Sequence, residues 1–220
     1  RIHSLVVDLR DTNAVRSLIM AVQPRVIFHL ASVVDVRPFK MDAVFDINVG
    51  GTVNVVVAAS ACRAVQALVY CSTLDVVYEG KPMKQVREDL PYTNVTRFPC
   101  WVPSSAYPAS KARAEEVVLA AGASCGGTPA AAAAAVSPDP VLLAKGNGGG
   151  LRTCALRPGH LFGENDAVLD FFARQLPISV AGSPHCLMTL QYVGNAAAMH
   201  ILAARRLLSE RRSGVKGLTL

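Results

Sequence analysis

Short apolar runs alternating with helix-length segments constrain this chain more than any other feature. Residues 2–7, 25–32, 67–73 and 152–157 are brief, apolar and rich in β-branched side chains. Between them lie stretches with helical periodicity. One helix begins with Asp11 or Thr12 as N-cap, runs through Val15, Leu18, Ile19 and Val22, and stops near Pro24. A second covers about 44–63 and contains Asn48-Val49-Gly50-Gly51-Thr52, whose glycines predict close packing on a sheet or cofactor. Further helices are predicted over 107–119, 166–176 and 195–208, with strands at 187–193 and 218–220. Strand-helix alternation predicts βαβ units: an α/β fold whose parallel sheet carries helices on both faces. Ligands of such sheets bind beyond the C-terminal strand ends, where Asp8, Ala31, Ser32, Ser72 and Thr73 fall.

Composition narrows the function. With 220 residues, 51% of them hydrophobic, the chain can bury a sizeable core. Its formal charge of +6 owes much to Arg205, Arg206, Arg211, Arg212 and Lys216. This cluster reads as a solvated helix end, with peripheral contact to anionic lipid headgroups left open. Nucleic-acid binding is not expected, because no aromatic residues interleave with the basic ones. Six cysteines occur, none in C-x-x-C spacing, and no histidine pair completes a metal site, so no metal is expected. Cys71 and Cys154 read as buried thiols, which points to a reducing compartment. No apolar run reaches transmembrane length and no signal peptide is visible.

Two irregular segments interrupt the pattern. Residues 75–106 form a long loop rich in proline and aromatics, including Phe98, Trp101 and Pro103. Residues 121–150 read as a low-complexity surface insert, with an alanine run and a glycine cluster. Between them stands Tyr107-Pro108-Ala109-Ser110-Lys111 at the head of a helix. Tyr and Lys at i and i+4 share a helical face. An ammonium beside a phenol favours the phenolate, so the Tyr107 pKa is expected below its usual value near 10. Such a phenol takes a proton from an alcohol or gives one to a carbonyl.

The ordered set of motifs resembles the extended short-chain dehydrogenase/reductases, and within them the 3β-hydroxysteroid dehydrogenase branch that includes sterol-4α-carboxylate 3-dehydrogenases. The matching pieces are Asp8-Leu9-Arg10-Asp11, Phe28-His29-Leu30-Ala31-Ser32, Asn48 to Asn54, Tyr70-Cys71-Ser72-Thr73, Tyr107 to Lys111, Leu156-Arg157-Pro158-Gly159 and Gln191-Tyr192-Val193-Gly194-Asn195. The resemblance implies a Rossmann-like doubly wound sheet, N-terminally truncated, with a small C-terminal substrate-binding part. It divides the chain into a cofactor-binding portion, 1–160, and a substrate-binding portion, 161–220, with helix 195–208 packing back on the sheet. It implies NAD or NADP as cofactor, without a preference between them.

The same resemblance assigns roles. Tyr107 would be the general acid/base, and Lys111 the residue that lowers its pKa and bonds the nicotinamide ribose. Thr73, with Ser72 as the alternative, would orient the substrate oxygen. Asn48 would be either the family's asparagine near the site or a helix-bend residue satisfying backbone. Asp8, with Leu9 beside it, would bond the adenine amino group. Leu30, Ala31 and Ser32 would line the cofactor ribose and phosphates. Pro158, Gly159 and His160 would form the turn beside the nicotinamide, His160 incidentally. The implied reaction oxidises the 3β-hydroxyl of a steroid or sterol by hydride transfer. The implied setting is the cytoplasm or the cytoplasmic face of the endoplasmic reticulum, with a homodimer left open.

The chain departs from the family pattern in lacking a Gly-x-x-Gly-x-x-Gly turn for the pyrophosphate. It begins at what would be the third strand, which predicts a fragment of a longer enzyme that dissolves poorly alone. Alternative readings are a nucleotide-sugar epimerase/dehydratase or ketone reductase of the same fold, or a catalytically silent cofactor-binding or interaction module.

Overall fold

The computed structural model describes residues 2–34, 41–78, 86–93, 106–123, 150–164, 166, 189–209 and 218–219. The predicted helix over 166–176, apart from Asp166, lies outside them. So do Phe98, Trp101 and Pro103, and the insert from 124 to 149.

Helix α1 (Thr12–Val22) starts where the Asp11 carboxylate accepts from the backbone N–H groups of Asn13 and Ala14, each at 3.0 Å. It ends at Gln23, in left-handed conformation with φ 49°, just before Pro24. Strand β1 (Val26–His29) follows. Next come α2 (Met41–Phe45), a π-helical turn (Asp46–Gly50) and α3 (Gly51–Ala61) in one continuous helical stretch. Then come β2 (Ala67–Cys71), a 3₁₀ turn (Leu74–Val77) and α4 (Ala106–Ala123). The chain continues through β3 (Arg152–Leu156), β4 (His160–Phe162), β5 (Leu190–Tyr192), α5 (Val193–Ser209) and β6 (Leu218–Thr219).

Strands β1, β2, β3 and β6 pair in that order, all parallel, while β4 and β5 form a separate parallel pair. Alternation along β2 and β3 sends side chains to opposite faces. Leu68, Tyr70 and Ala155 join Val15, Val55 and Val118 under α1, α3 and α4. Ala67, Val69, Cys154 and Leu156 pack against Ala203, Ala204 and Leu207 of α5 on the other face. The predicted two-faced parallel sheet is therefore present.

Four expectations change. Residues 2–8 form no strand, and Ile2, Leu5 and Val6 are 96%, 67% and 102% exposed. A strand needs a ladder partner, and no described strand lies beside this segment or along the outer edge of β1. Helix α4 runs on to Ala123, past the predicted start of the insert, because Gly122 lies directly against Thr153 at the start of β3. Cys71 is only half-buried, whereas Cys154 is buried. The stretch Asp42–Ala61 is long and apolar enough to cross a membrane by length and composition, with a mean hydropathy of 1.4. Its Val55, Val56, Ala58 and Ala59 lie in the core beneath the sheet, so packing accounts for that hydropathy.

Only one of the two helix glycines is needed for packing. A Cβ on Gly51 would sit 2.9 Å from Leu9 Cβ, whereas one on Gly50 would meet nothing within 4 Å. Gly51 therefore admits the segment before α1, rather than the sheet.

Candidate active site

Helix α4 presents Tyr107 in its first turn, half-buried, and Lys111 one turn later, 1% exposed. The Ser32 hydroxyl, from the loop after β1, and the Thr73 hydroxyl, just after β2, stand close enough to the Tyr107 phenol to favour its ionised form. Three hydroxyls from three segments thus meet at the C-terminal end of the sheet. Thr73 Oγ1 also accepts from Asp75 N–H at 3.3 Å, capping the 3₁₀ turn.

The expected depression of the phenol pKa is not found. Burial is the main cause of its being pushed up to about 12, reinforced by the negative charge of Asp75 and by Cys71, while Ser32 and Thr73 pull it partly back. Lys111 is engaged elsewhere. Its ammonium donates to the Cys71 carbonyl at 2.6 Å and sits 4.2 Å above the Tyr70 ring. Burial lowers the Lys111 pKa to about 8, against the opposing pull of Cys71 and Glu115.

Asn48 lies in the π-helical turn and is 1% exposed. Its amide oxygen accepts from Val33 N–H at 2.8 Å, and its Nδ2 donates to Val33 O and to Ser110 Oγ, each at 3.0 Å. Ser110 in turn donates to the Tyr107 carbonyl at 2.8 Å. One side chain thus ties the Ser32 loop to the first turn of α4. Asn48 therefore satisfies both backbone groups of Val33 and bonds the helix that carries Tyr107. Behind it, Thr52 Oγ1 donates to Asn48 O at 2.5 Å and faces His29 Nε2 at 2.8 Å. The one hydroxyl proton being used on Asn48, the His29 ring must donate, which places its proton on Nε2.

Ser72 does not face the phenol. Its hydroxyl donates to Glu115 Oε2 in a short hydrogen bond, and the residue is 3% exposed. That leaves Thr73 as the hydroxyl on the Tyr107 side. Glu115 is fully buried and receives Arg157 in a fork, Nη2 at 2.8 Å and Nε at 3.0 Å from Oε1, plus the Tyr92 hydroxyl at 3.1 Å. Sequence reading missed this network. Its available signals were a glutamate one helical turn beyond Lys111 and an arginine at the end of an apolar strand.

The remaining candidates are more dispersed. Asp8 is half-exposed and paired with Arg10 at 2.7 Å, which holds its carboxyl down at about 2. Its backbone carbonyl accepts from Asp11 N–H at 3.1 Å, in the turn before α1. Leu9, Leu30 and Ala31 line an apolar groove of roughly 290 Å³ with Val7, Ile27 and Phe28, apart from Tyr107, Lys111 and Thr73. Pro158 O accepts from Leu74 N–H at 3.0 Å, which joins the two strand ends next to Thr73. Gly159 permits close approach to Thr189, whose carbonyl lies 2.8 Å from where a Cβ would stand. His160 is exposed and its backbone N–H bonds Thr189 O at 2.9 Å. Among the described residues, no group of three or more His, Cys, Asp or Glu is arranged to hold a metal.

Comparison with known proteins agrees with this architecture. Solved structures of similar fold include the UDP-glucose 4-epimerase of Thermus thermophilus in complex with NAD. It is 25% identical with a TM-score of 0.65, covering 90% of this chain and 58% of that one. The Bordetella bronchiseptica enzyme WbmG, solved with NAD and UDP, shares the fold at 15% identity and a TM-score of 0.64, covering 98% and 56%. Among sequence relatives, mouse 3 beta-hydroxysteroid dehydrogenase type 7 is 35% identical over 87% of this chain and 47% of its own length. Bovine short-chain dehydrogenase/reductase family 42E member 1 is 28% identical over 93% and 48%. The chain spans about half the length of these curated relatives. The 3-beta hydroxysteroid dehydrogenase/isomerase family model matches residues 1–138 and 128–219, nearly the whole sequence. With this match over nearly the whole sequence and a parallel α/β sheet to go with it, this chain belongs to the 3-beta hydroxysteroid dehydrogenase/isomerase family.

Proposed function

We propose that this chain carries the proton-handling half of an NAD(P)-dependent oxidoreductase acting on the 3β-hydroxyl of a steroid or sterol. The observation that carries the reading is the convergence of the Ser32, Thr73 and Tyr107 hydroxyls beyond the ends of β1 and β2. The donor set fits a nicotinamide ribose and a substrate oxygen: two hydroxyls, a phenol and a nearby ammonium, with Asn48 bracing the loop between them. Lys111, Ser32 and the turn at Pro158 and Gly159 are the residues proposed to hold the cofactor. When bound, NAD(P) supplies the hydride acceptor or donor and, in its oxidised form, a local positive charge.

The chain's own residues handle the oxygen. Thr73 donates to the substrate oxygen on which charge develops. Tyr107, protonated at neutral pH with a pKa of about 12, gives its proton to that oxygen when a carbonyl is reduced. In the oxidative direction Tyr107 receives the alcohol proton, which asks for more positive charge around it than Lys111 provides while bonded to the Cys71 carbonyl. Residues 161–220 are proposed as the substrate-binding part. The family match favours a steroid over a nucleotide sugar, although the structural neighbours named above include an epimerase.

Titration of the chain with NADH and NADPH, followed by nucleotide fluorescence, tests the reading. Saturable binding supports it. Tyr107→Phe is expected to abolish turnover of a 3β-hydroxysteroid in a longer form of the protein while leaving nucleotide affinity within about threefold, since one hydrogen bond is at stake. Unchanged turnover in that variant would refute the role of the phenol.

A further inference from the structure

The most heavily bonded group in the described chain is a carboxylate that no proposed step uses. Glu115 stands on the same stripe of α4 as Tyr107 and Lys111, at successive four-residue steps. It receives hydrogen bonds from Ser72, Tyr92 and Arg157, three residues on three other segments. Ser72 immediately precedes Thr73, and Arg157 immediately precedes Pro158. The two strand ends are also joined through backbone, Ser72 N–H to Leu156 O at 2.7 Å and Leu74 N–H to Pro158 O at 3.0 Å. Thr73 therefore sits between two inter-strand bonds, on a corner that Glu115 fastens to α4. Arg157 reaches on to the Glu88 carbonyl at 3.3 Å and stacks 5.4 Å from the Tyr92 ring centroid, which adds the 86–93 segment to the assembly.

Burial of such a pair is a weak source of stability, because desolvation offsets most of the attraction between the charges. Its value lies in geometry: two guanidinium N–H groups converge on Oε1, and Nε also lies 3.4 Å from Oε2, which fixes both distance and orientation. We propose that Glu115 and Arg157 are positioning residues that set the spacing between Tyr107 on α4 and Thr73 at the end of β2. This inference rests on the reading of Tyr107 and Thr73 as the proton-handling pair, but its test needs no turnover.

The test is NMR of the 220-residue chain carrying ¹³Cζ-labelled tyrosine, with the Tyr107 signal assigned by its loss in Tyr107→Phe. Ser72→Ala cuts the tie between α4 and the strand end without stranding a charge, and Glu115→Gln removes the charge itself. The Tyr107 signal is expected to shift by more than its linewidth in both, while the exposed Tyr192 signal stays in place. A Tyr107 signal unmoved in folded Ser72→Ala, with only a lower melting temperature, would overturn the proposal and leave the network a stabilising one. Should Glu115→Gln fail to fold, Ser72→Ala alone decides. A moved Tyr107 signal together with absent nucleotide binding would refute the proposed function and leave the positioning role standing.

Discussion

Thr73 and Ser72 are adjacent in sequence and separated in duty. Thr73→Val is expected to lower turnover by about 10²-fold, because it removes a donor to the reacting oxygen, and to cost about 1 kcal/mol of stability or less through the lost cap on the 3₁₀ turn. Ser72→Ala is expected to cost about 1.5–3 kcal/mol of stability, the range for a hydrogen bond to a charged group. Steady-state kinetics beside thermal melts separates the two: turnover falls further in Thr73→Val, melting falls further in Ser72→Ala, whose displaced Tyr107 costs turnover to a lesser degree, and equal effects on both measures would contradict the assignment. His29 makes a pH prediction. Burial depresses its pKa to about 4, below the ordinary 6.5. Between these values the unfolded chain binds more protons, so stability is complete above pH 6.5 and declines as pH falls towards 4, by up to about 3 kcal/mol. Melting curves at about pH 7 and about pH 4.5, on either side of the ordinary histidine pKa, should show a smaller loss in His29→Gln than in the parent chain. Residue placement was legible where a motif carries it: Tyr107 and Lys111 stand one turn apart on α4, and Thr73 follows β2. It was not legible at Glu115 and Arg157, which lie 42 positions apart and meet only once the sheet is built. Nor was the phenol pKa, since burial and Asp75 outweigh a neighbour four residues away.

Periodicity and caps made most elements readable. Asp11, Pro24 and the apolar strand runs placed α1, β1, β2 and β3 within a residue or two, because each signal is local. Residues 2–7 failed that test, being strand-like in composition but without a ladder partner among the described strands. The π-helical turn at Asp46–Gly50 was also unreadable, since its widening follows from how Asn48 reaches Val33 and Ser110 rather than from propensity. The glycine pair beside it gives a test at this scale. Gly51→Ala is expected to destabilise by about 1–3 kcal/mol through overpacking against Leu9. Gly50→Ala, with open space around it, is expected to stabilise by up to about 1 kcal/mol through helix propensity. Chemical denaturation of the two single variants checks the contrast.

On the scale of the molecule, the outer edge of β1 is the weak boundary. Phe28 and Leu30 are 41% and 58% exposed there, beside the apolar groove, and no described strand covers them. Open apolar edges pair with other chains. Light scattering is expected to show association that grows with concentration, and Phe28→Lys should reduce it; a strictly monomeric parent chain would contradict this. At the opposite side of the sheet the last turn of α4 rests on the first residues of β3, Gly122 against Thr153. The two ends of the sequence between them are thus held together by packing as well as by the peptide chain. A single protease cut in that interval should yield two bands on a denaturing gel but one peak in gel filtration. The N-terminal piece would carry Thr73, Tyr107 and Lys111, the C-terminal piece Arg157, and the severed molecule would still behave as one body.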